Sequence, residues 1–303
     1  MLLSLLLSYK NIANSFAFNI PQTWKPQKDS NTLRVMTWNV ESFVDLSFRG
    51  NPKAKTRIAM LQLIQQYQPD IICFQEYKSV ENGKRRVSAK RELDSIGYAF
   101  QYISNDLFIQ VSGGRSVTGG VAVYSKMPIA DSGKILIRNN EAKESLIYTE
   151  VLFNNKPLRI YTAHLASFAF ASFVPAEELD EGVVVNSYPI KGSAAQKIKE
   201  TEILHQQQIE LIKKELAASP SPFIYCGDLN TTPASYNYNF LKDDMQDAFA
   251  EKGFGIGTTF YKLLPWLRID VQFANDKLNI MQCTVAKEKL SDHYPVIADY
   301  TWK

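Results

Sequence analysis

The sequence predicts a layered α/β sandwich, two stacked β-sheets with helices outside. Three observations carry this expectation. Apolar runs of strand length recur from Leu33 onward, separated by Gly, Asn or Pro signals. Only two stretches have the length and register of long helices. Strand-like runs both open and close this region, with no break in composition after residue 33, which argues for one domain.

The elements follow in order. "LRVMTW" is a strand, and "PKAKTRIAMLQLIQQY" is a helix that starts on Pro52 and carries Ile58, Leu61, Ile64 and Tyr67 at helical spacing. "PDIICFQE" is a second strand, apolar throughout as expected when both faces are covered. After a basic loop come "YAFQYIS", "GGVAVYSK", "GKILIR", "SLIYTEVLF" and "KPLRIYTAHL", all β-rich. A polar helical segment over 193–216 leads to the strand "FIYCGD", and "RIDVQFA", "NIMQCTV" and "YPVIADY" complete the set.

Residues 1–32 read as an N-terminal arm and linker, and 33–303 as the domain. The arm begins with an apolar run, Met1 to Leu7, with no basic residue before it and no A-x-A-like cleavage site. A spanning helix needs about 20 apolar residues. The run reads either as the tail of an anchor that begins upstream or as a docking arm. "PQTWKPQKDSNT" then reads as exposed chain. Compartment stays open between membrane-associated or exported and cytoplasmic.

Bulk properties add little. The chain has 303 residues, 45% hydrophobic and 21% charged, an ordinary globular composition. A net charge of +3 is too weak to mark a nucleic-acid binder by overall field alone. Cys73, Cys226 and Cys283 each lie inside an apolar run without a CxxC pair, so they read as small buried hydrophobes, and no zinc site or disulfide framework is supported.

Chemistry is concentrated at strand ends. Asn39 follows "VMTW", Glu76 follows "IICFQ", His164 follows "RIYTA", and Asp228 and Asn230 follow "FIYC". Asp270 lies within "LRIDVQF", while Asp292 and His293 precede "YPVIADY". A rigid strand end opening into a loop is where a positioned site is usually built. Each residue alone has an ordinary structural reading, such as a turn, a rim charge or a satisfied core carboxylate. Together, Glu76, Asp292 and Asn39 supply the oxygens a hard divalent cation prefers. Asp270 is suited to orient His293, and Asp228 and Asn230 alternate past Gly227 so that both can face one water. This is an inventory for phosphoester hydrolysis. His205, in a Gln- and Glu-rich helix, reads as structural.

The motifs "TWNV", "FQE", "GGVAVYSK", "TAHL", "CGDLN", "RID" and "SDHYP", in that order, resemble the endonuclease/exonuclease/phosphatase superfamily over about residues 33–302. The resemblance implies a four-layered α/β sandwich, two stacked mixed β-sheets flanked by helices, with a deoxyribonuclease-like Mg2+-dependent site for which Mn2+ substitutes. It implies Glu76 as principal metal ligand with Asn39 and Asp292, Asp228 acting on the nucleophilic water, and Asn230 holding the phosphate. Asp270 is implied to pair with His293, and His164 to contact phosphate or assist the leaving group, unlike abasic-site endonucleases, which place a tyrosine there. Whether Asp228 or the His293–Asp270 dyad is the base stays open. A catalytically silent binding module of the same fold is disfavoured because every position of the set is present.

The substrate is a phosphate ester, with nucleic acid and phosphorylated lipid or inositol both open and nuclease-like phosphodiester cleavage preferred. "NGKRRVSAKR" (82–91) is either a solvated loop or a track for a phosphate-rich substrate. "LASFAFASFVP", with Phe168, Phe170 and Phe173, is either a buried loop or an apolar wedge that stacks on bases or enters a lipid interface. Arg268 is expected near the phosphate. Peripheral membrane association is carried as an expectation, along with a monomer that has no obligate protein partner.

Overall fold

The computed structural model describes residues 14–44, 52–81, 89–111, 115–139, 143–168, 194–264 and 266–303. In chain order, a two-residue strand β1 (Ala17–Phe18) precedes β2 (Leu33–Asn39), a 3-10 turn (Glu41–Val44), helix α1 (Pro52–Tyr67) and β3 (Ile71–Glu81). Helix α2 (Ala89–Ser95) leads to β4 (Phe100–Ile103), β5 (Leu107–Val111), β6 (Arg115–Ser125), β7 (Ile129–Asn139), β8 (Lys143–Phe153) and β9 (Lys156–His164). Helix α3 (Ala194–Ala217), β10 (Phe223–Asp228), α4 (Tyr236–Lys242), β11 (Gln246–Asp247), α5 (Ala248–Lys252) and β12 (Phe254–Gly255) follow. Then β13 (Asp270–Ala274), β14 (Leu278–Val285) and β15 (Val296–Trp302) close the order.

Side-chain alternation sorts these strands into layers. On β2 and β3, Val35, Ile71 and Cys73 face inward with Ile160 of β9, Ile224 and Cys226 of β10 and Ala298 of β15, forming the core between two sheets. Their neighbours Met36, Ile72 and Phe74 face the other way and pack on Met60, Leu63 and Ile64 of α1 and Leu93 of α2. On the second sheet, Tyr161, Tyr225 and Phe273 face outward onto Ile209, Ile212 and Leu216 of α3 and Leu241 of α4. The result is helix, sheet, sheet, helix: the four-layered sandwich. Cys73 and Cys226 are buried free thiols, and Cys283 is partly buried.

The described strands form a seven-stranded sheet (β14-β15-β2-β3-β6-β4, with β5 on β6) and a six-stranded sheet (β11-β13-β10-β9-β8-β7). A two-stranded pair, β1 with β12, stands apart. Pairing is antiparallel except at two places, β2 beside β3 and β9 beside β10. Those parallel pairs bring the C-terminal ends of four strands to one end of the sandwich. Antiparallel neighbours β13 and β15 bring their N-terminal ends to the same place.

Two glutamines fasten the sheets across the core. Gln75 of β3 donates to Thr162 Oγ1 of β9 at 2.9 Å. Gln272 of β13 donates to the carbonyls of Val35 and Val296 at 3.2 and 2.8 Å, and its oxygen accepts from the Tyr300 hydroxyl. A buried amide satisfied in this way fixes the register of one sheet on the other.

Some expectations shift. Helix α1 has the predicted bounds, but its buried face runs through Met60, Leu63 and Ile64, and Ile58 is 50% exposed. The stretch 21–32 is mostly exposed, yet it is tied down: Trp24 lies 4.6 Å from the Arg34 guanidinium, which also donates to the Lys25 and Pro26 carbonyls. The turn-length helices α4 and α5 and strand β5 had no counterpart in the sequence reading. Residues 82–88 of the basic stretch lie outside the described residues, as do Phe170 and Phe173.

Candidate active site

The parallel pairs set the site's geometry. In the ladder Asp228 stands beside His164 of β9 on one side and Asp270 of β13 on the other. Gly227 is needed there because a Cβ would come within 2.7 Å of the Ala163 carbonyl on the neighbouring strand. From the other sheet, Asn39 ends β2, and β3 carries a bulge between Phe74 and Tyr77 that re-aims Glu76 at φ 51°. Gly120 and Gly119 pair with Tyr77 and Lys78 just past the bulge, and a Cβ on Gly119 would strike the Tyr77 carbonyl at 2.6 Å.

Asn39 joins the two sheets' contributions. Its Nδ2 donates to Glu76 Oε1 at 3.1 Å and to Asp228 Oδ2 at 3.0 Å, while its Oδ1 accepts from the Glu41 amide. The amide nitrogen, not the oxygen, therefore faces the carboxylates. Asp228 Oδ1 accepts from the Asn230 amide at 2.9 Å. Asn230 Nδ2 reaches the Leu165 carbonyl at 2.9 Å and lies 3.1 Å from His164 Nε2. His164 Nε2 is 3.6 Å from Asp228 Oδ2 and 3.8 Å from Glu76 Oε1.

His293 completes the buried group. Its Nδ1 is 2.8 Å from Asp270 Oδ2, and its Nε2 is 3.7 Å from Asp228 Oδ2. An acidic partner on Nδ1 makes that nitrogen the proton carrier and turns Nε2 toward Asp228. Asp270 Oδ1 is buried without a hydrogen-bond partner. Two neighbouring motifs are stitched together here: Trp38 Nε1 donates to the His293 carbonyl at 3.0 Å, and Ser291 Oγ donates to the Asn39 carbonyl at 2.8 Å. Thr259 Oγ1 accepts from the Ile269 and Asp270 amides and so sets the start of β13.

Charge is unevenly distributed in this cluster. Burial, and then Asp270, push the Asp228 carboxyl up to about 6, against the pull of His293, His164 and Asn39. His293 is taken the other way: burial would lower it, but Asp270 and Asp228 together raise it to about 10. Glu76 lies on the rim, its side chain 41% exposed. Burial acts to raise its carboxyl, and His164 with the Asn39 hydrogen bond outweighs that and lowers it. Asp292 is raised, by burial first and by its neighbours Glu41 and Glu76. Lys262 Nζ faces this rim, 3.2 Å from Glu41 and 3.9 Å from Asp292.

Two groupings of ligand atoms could hold a cation. Ligand atoms of Asp228, Asp270 and His293 lie within 4.8 Å of one another. That trio is fully buried and its imidazole is already committed to Asp270, which suits a proton relay. Glu76 and Asp292 sit on the open rim, where a hard cation can keep waters and receive a phosphate. Burial first, and then Glu41 and Glu76, disfavour charge on Asp292, and a divalent cation would offset both, so the residues on the rim fit one.

Of the predicted site residues, the structure brings together Asn39, Glu76, His164, Asp228, Asn230, Asp270, Asp292 and His293. Arg268 is not among them. Its guanidinium is buried against Asp247, donates to the Asn14 carbonyl at 2.7 Å and lies over the Phe249 and Tyr238 rings. An arginine so paired in the core cannot reach a phosphate at the strand ends. Phe168 packs edge-on against the His205 ring, at 5.1 Å.

His205 is structural as expected, but sequence reasoning missed Gln208 and the loop that the two hold from behind the site. His205 and Gln208 of α3 bracket Ala166, two residues past His164: His205 Nε2 meets its carbonyl and Gln208 Oε1 accepts from its amide. Gln208 in turn donates to Glu144, whose buried carboxyl is raised by burial while His164 and Arg138 act to lower it. Buried polar residues three apart on one helix face are the signal that could have found this bracket.

The fold is shared with solved structures of low sequence identity. An endonuclease/exonuclease/phosphatase from Beutenbergia cavernae superposes with a TM-score of 0.63 at 21% identity, over 90% of this chain and 72% of that one. A humanized D. rerio TDP2 gives 0.60 at 14% identity, over 90% and 100%. The mannosyl-6-phosphatase Bt3783 of Bacteroides thetaiotaomicron gives 0.59 at 13% identity, over 89% and 100%. No curated protein matches the chain in sequence. The model of the Endonuclease/Exonuclease/phosphatase family matches residues 36–293, with every strand-end residue of the site inside it. The chain belongs to that family.

Proposed function

We propose that this chain hydrolyses phosphodiesters, in the manner of a nuclease, by attack of an activated water with Mg2+ as cofactor and Mn2+ able to substitute. The observation that carries this reading is Asp228, a buried carboxylate held on both oxygens, facing two imidazoles. Hydrolysis of such an ester needs a proton acceptor for water, donors on the non-bridging oxygens and help for the leaving oxygen. Asp228 takes the water's proton. His293, kept protonated by Asp270, donates from Nε2 to a phosphate oxygen. Asn230 turns its Nδ2 from His164 Nε2 to a second oxygen when the phosphate enters, and His164, so released, stands beside the leaving group. Glu76 and Asp292 would hold the cation, with Asn39 spacing Glu76 from Asp228. When bound, a divalent cation there neutralises charge on the phosphate and favours ionisation of water.

A second reading, a phospholipid or inositol-phosphate esterase, is favoured by one observation. Leu263, Leu264 and Trp266 are 51%, 37% and 55% exposed in the loop between Phe260, which packs on His293, and Asp270. Such a loop suits a substrate with an apolar part.

A substrate panel under one metal tests both. It contains plasmid DNA, single-stranded DNA, RNA, a 5′-tyrosyl oligonucleotide, sphingomyelin and an inositol polyphosphate. Chelator-sensitive cleavage, strong for one polynucleotide, is expected. Strong cleavage of sphingomyelin or the inositol phosphate alone would replace the first reading by the second. No substrate cleaved above an Asp228→Ala control would defeat both. The base is assigned separately by pH–rate profiles of Asp228→Asn and Asp270→Asn: loss of the basic limb in Asp270→Asn alone would move that role to the dyad.

A further inference from the structure

A cluster of exposed apolar side chains lies on the β1–β12 pair. Strand β1 pairs with β12 so that Phe18 stands opposite Phe254. Phe18 is 72% exposed, Phe254 55%, Ile20 83% and Ile256 39%. Phe16 joins them, its ring 4.6 Å from Phe18 and 5.9 Å from Phe254. A cluster of this kind in water exposes apolar area without return, and such patches mark contacts with another phase or partner.

The cluster is not a frayed end. Asn19 Nδ2 donates to the Ala250 and Gly253 carbonyls, both at 2.8 Å. The Asn14 carbonyl accepts from Arg268 at 2.7 Å, and the Asn14 side chain bonds Asn239. The aromatic side chains are thus presented outward by a backbone anchored at both ends.

We infer that this face inserts into the interface of a phospholipid bilayer. The sequence on the N-terminal side of the patch is the second support: residues 1–9, "MLLSLLLSY", contain no charge, and Met1 to Leu7 hold five leucines. The run precedes the patch in the chain by the eight residues "SYKNIANS", of which Lys10 alone is charged, so a second apolar sequence is tethered close to the apolar surface. No helix among the described residues is long and apolar enough to cross a membrane. Shallow insertion of a few large side chains needs no crossing helix. A second copy of the chain is a poorer occupant, because a stable protein interface uses roughly 20–30 residues a side and this cluster offers five. The inserted residues are uncharged, so attachment rests on apolar area and not on anionic lipid.

The test uses the full chain and sedimentation with phosphatidylcholine vesicles. Wild type is expected to pellet with the vesicles equally in low and high salt. Phe18→Ser/Ile20→Ser/Phe254→Ser is expected to lower its partition coefficient about tenfold or more. Leu2→Ser/Leu3→Ser/Leu5→Ser/Leu6→Ser is expected to weaken it further when combined with the patch variant. A thermal melt followed by circular dichroism serves as the folding control for the patch variant, with Ile20→Ser alone as the milder change should the triple variant unfold. Three results would each overturn the inference. Wild type stays in the supernatant; the patch variants pellet as wild type does; or wild type sediments as a dimer that the patch variant dissociates. These readouts concern binding alone, so they stand whatever the substrate panel returns.

Discussion

Two buried carboxylates of the six-stranded sheet experience opposite fates. Asp247 accepts from the Phe249 and Ala250 amides, from the Tyr238 hydroxyl and from Arg268. Burial would raise its carboxyl, but Arg268 and these donors lower it. Asp228 is as deeply buried, yet it faces Asp270 and shares one imidazole with it, and its carboxyl is raised. One acid is matched by its own cation and locks an N-cap; the other is left basic at an open strand end. A buried charge that is fully answered is architecture, and one left short of positive charge is available for chemistry.

Substitution at the two sites should separate these roles. Asp228→Asn is expected to cut kcat on the order of 10^4-fold, equivalent to about 5 kcal/mol of barrier, while thermal stability at pH 8 holds or rises. The sign follows from linkage. A folded pKa near 6, above the ordinary 3.8, means that ionised Asp228 works against folding at pH 8, and the neutral amide does not. Rate assays beside a thermal melt check both halves. Arg268→Met should do the reverse, costing about 3–5 kcal/mol in denaturant unfolding by stranding Asp247, with kcat/KM within a few-fold of wild type in the folded protein.

His205 extends the contrast to a histidine with no acid. Burial pushes it down from 6.5 to about 4, and Nδ1 is buried without a partner. The group is neutral in the fold, so its contribution is present in full above pH 6.5 and is lost as pH falls through about 4. The loss amounts to about 3 kcal/mol across that window. Unfolding free energies of wild type and His205→Gln measured from pH 7 to pH 4 should converge toward the acid end. Parallel curves would contradict the assignment. Gln272→Leu is the smallest change expected, about 1–3 kcal/mol in denaturant unfolding, because it unpairs the Val35 and Val296 carbonyls from the opposite sheet.

Much of this site was legible before any coordinate, for a physical reason. Rigid strands deliver residues at fixed ends, so Asn39, Glu76, His164, Asp228, Asp270 and His293 were marked by their places after or within apolar runs. Alternation likewise separated the inward Val35 and Ile71 from the outward Met36 and Ile72. Arg268 misled because it stands two residues before Asp270, and nearness in sequence carries no information about which way a side chain turns outside a strand. Its partner Asp247 is 21 residues away. The same limit hid Gln272, whose acceptors belong to the other sheet, and the His205–Gln208 bracket, whose target is the backbone of a loop. Helix α1 was found by spacing, but Ile58 faces water because the sheet, not the helix, decides which stripe is covered.

The most direct test of the account is bis-p-nitrophenyl phosphate hydrolysis by wild type and Asp228→Asn, each stripped with chelator and then titrated with Mg2+ or Mn2+. Chelation is expected to abolish the wild-type rate, either ion to restore it, and the variant to stay near background throughout. A wild-type rate indifferent to chelator, or a variant restored to the wild-type rate, would contradict it.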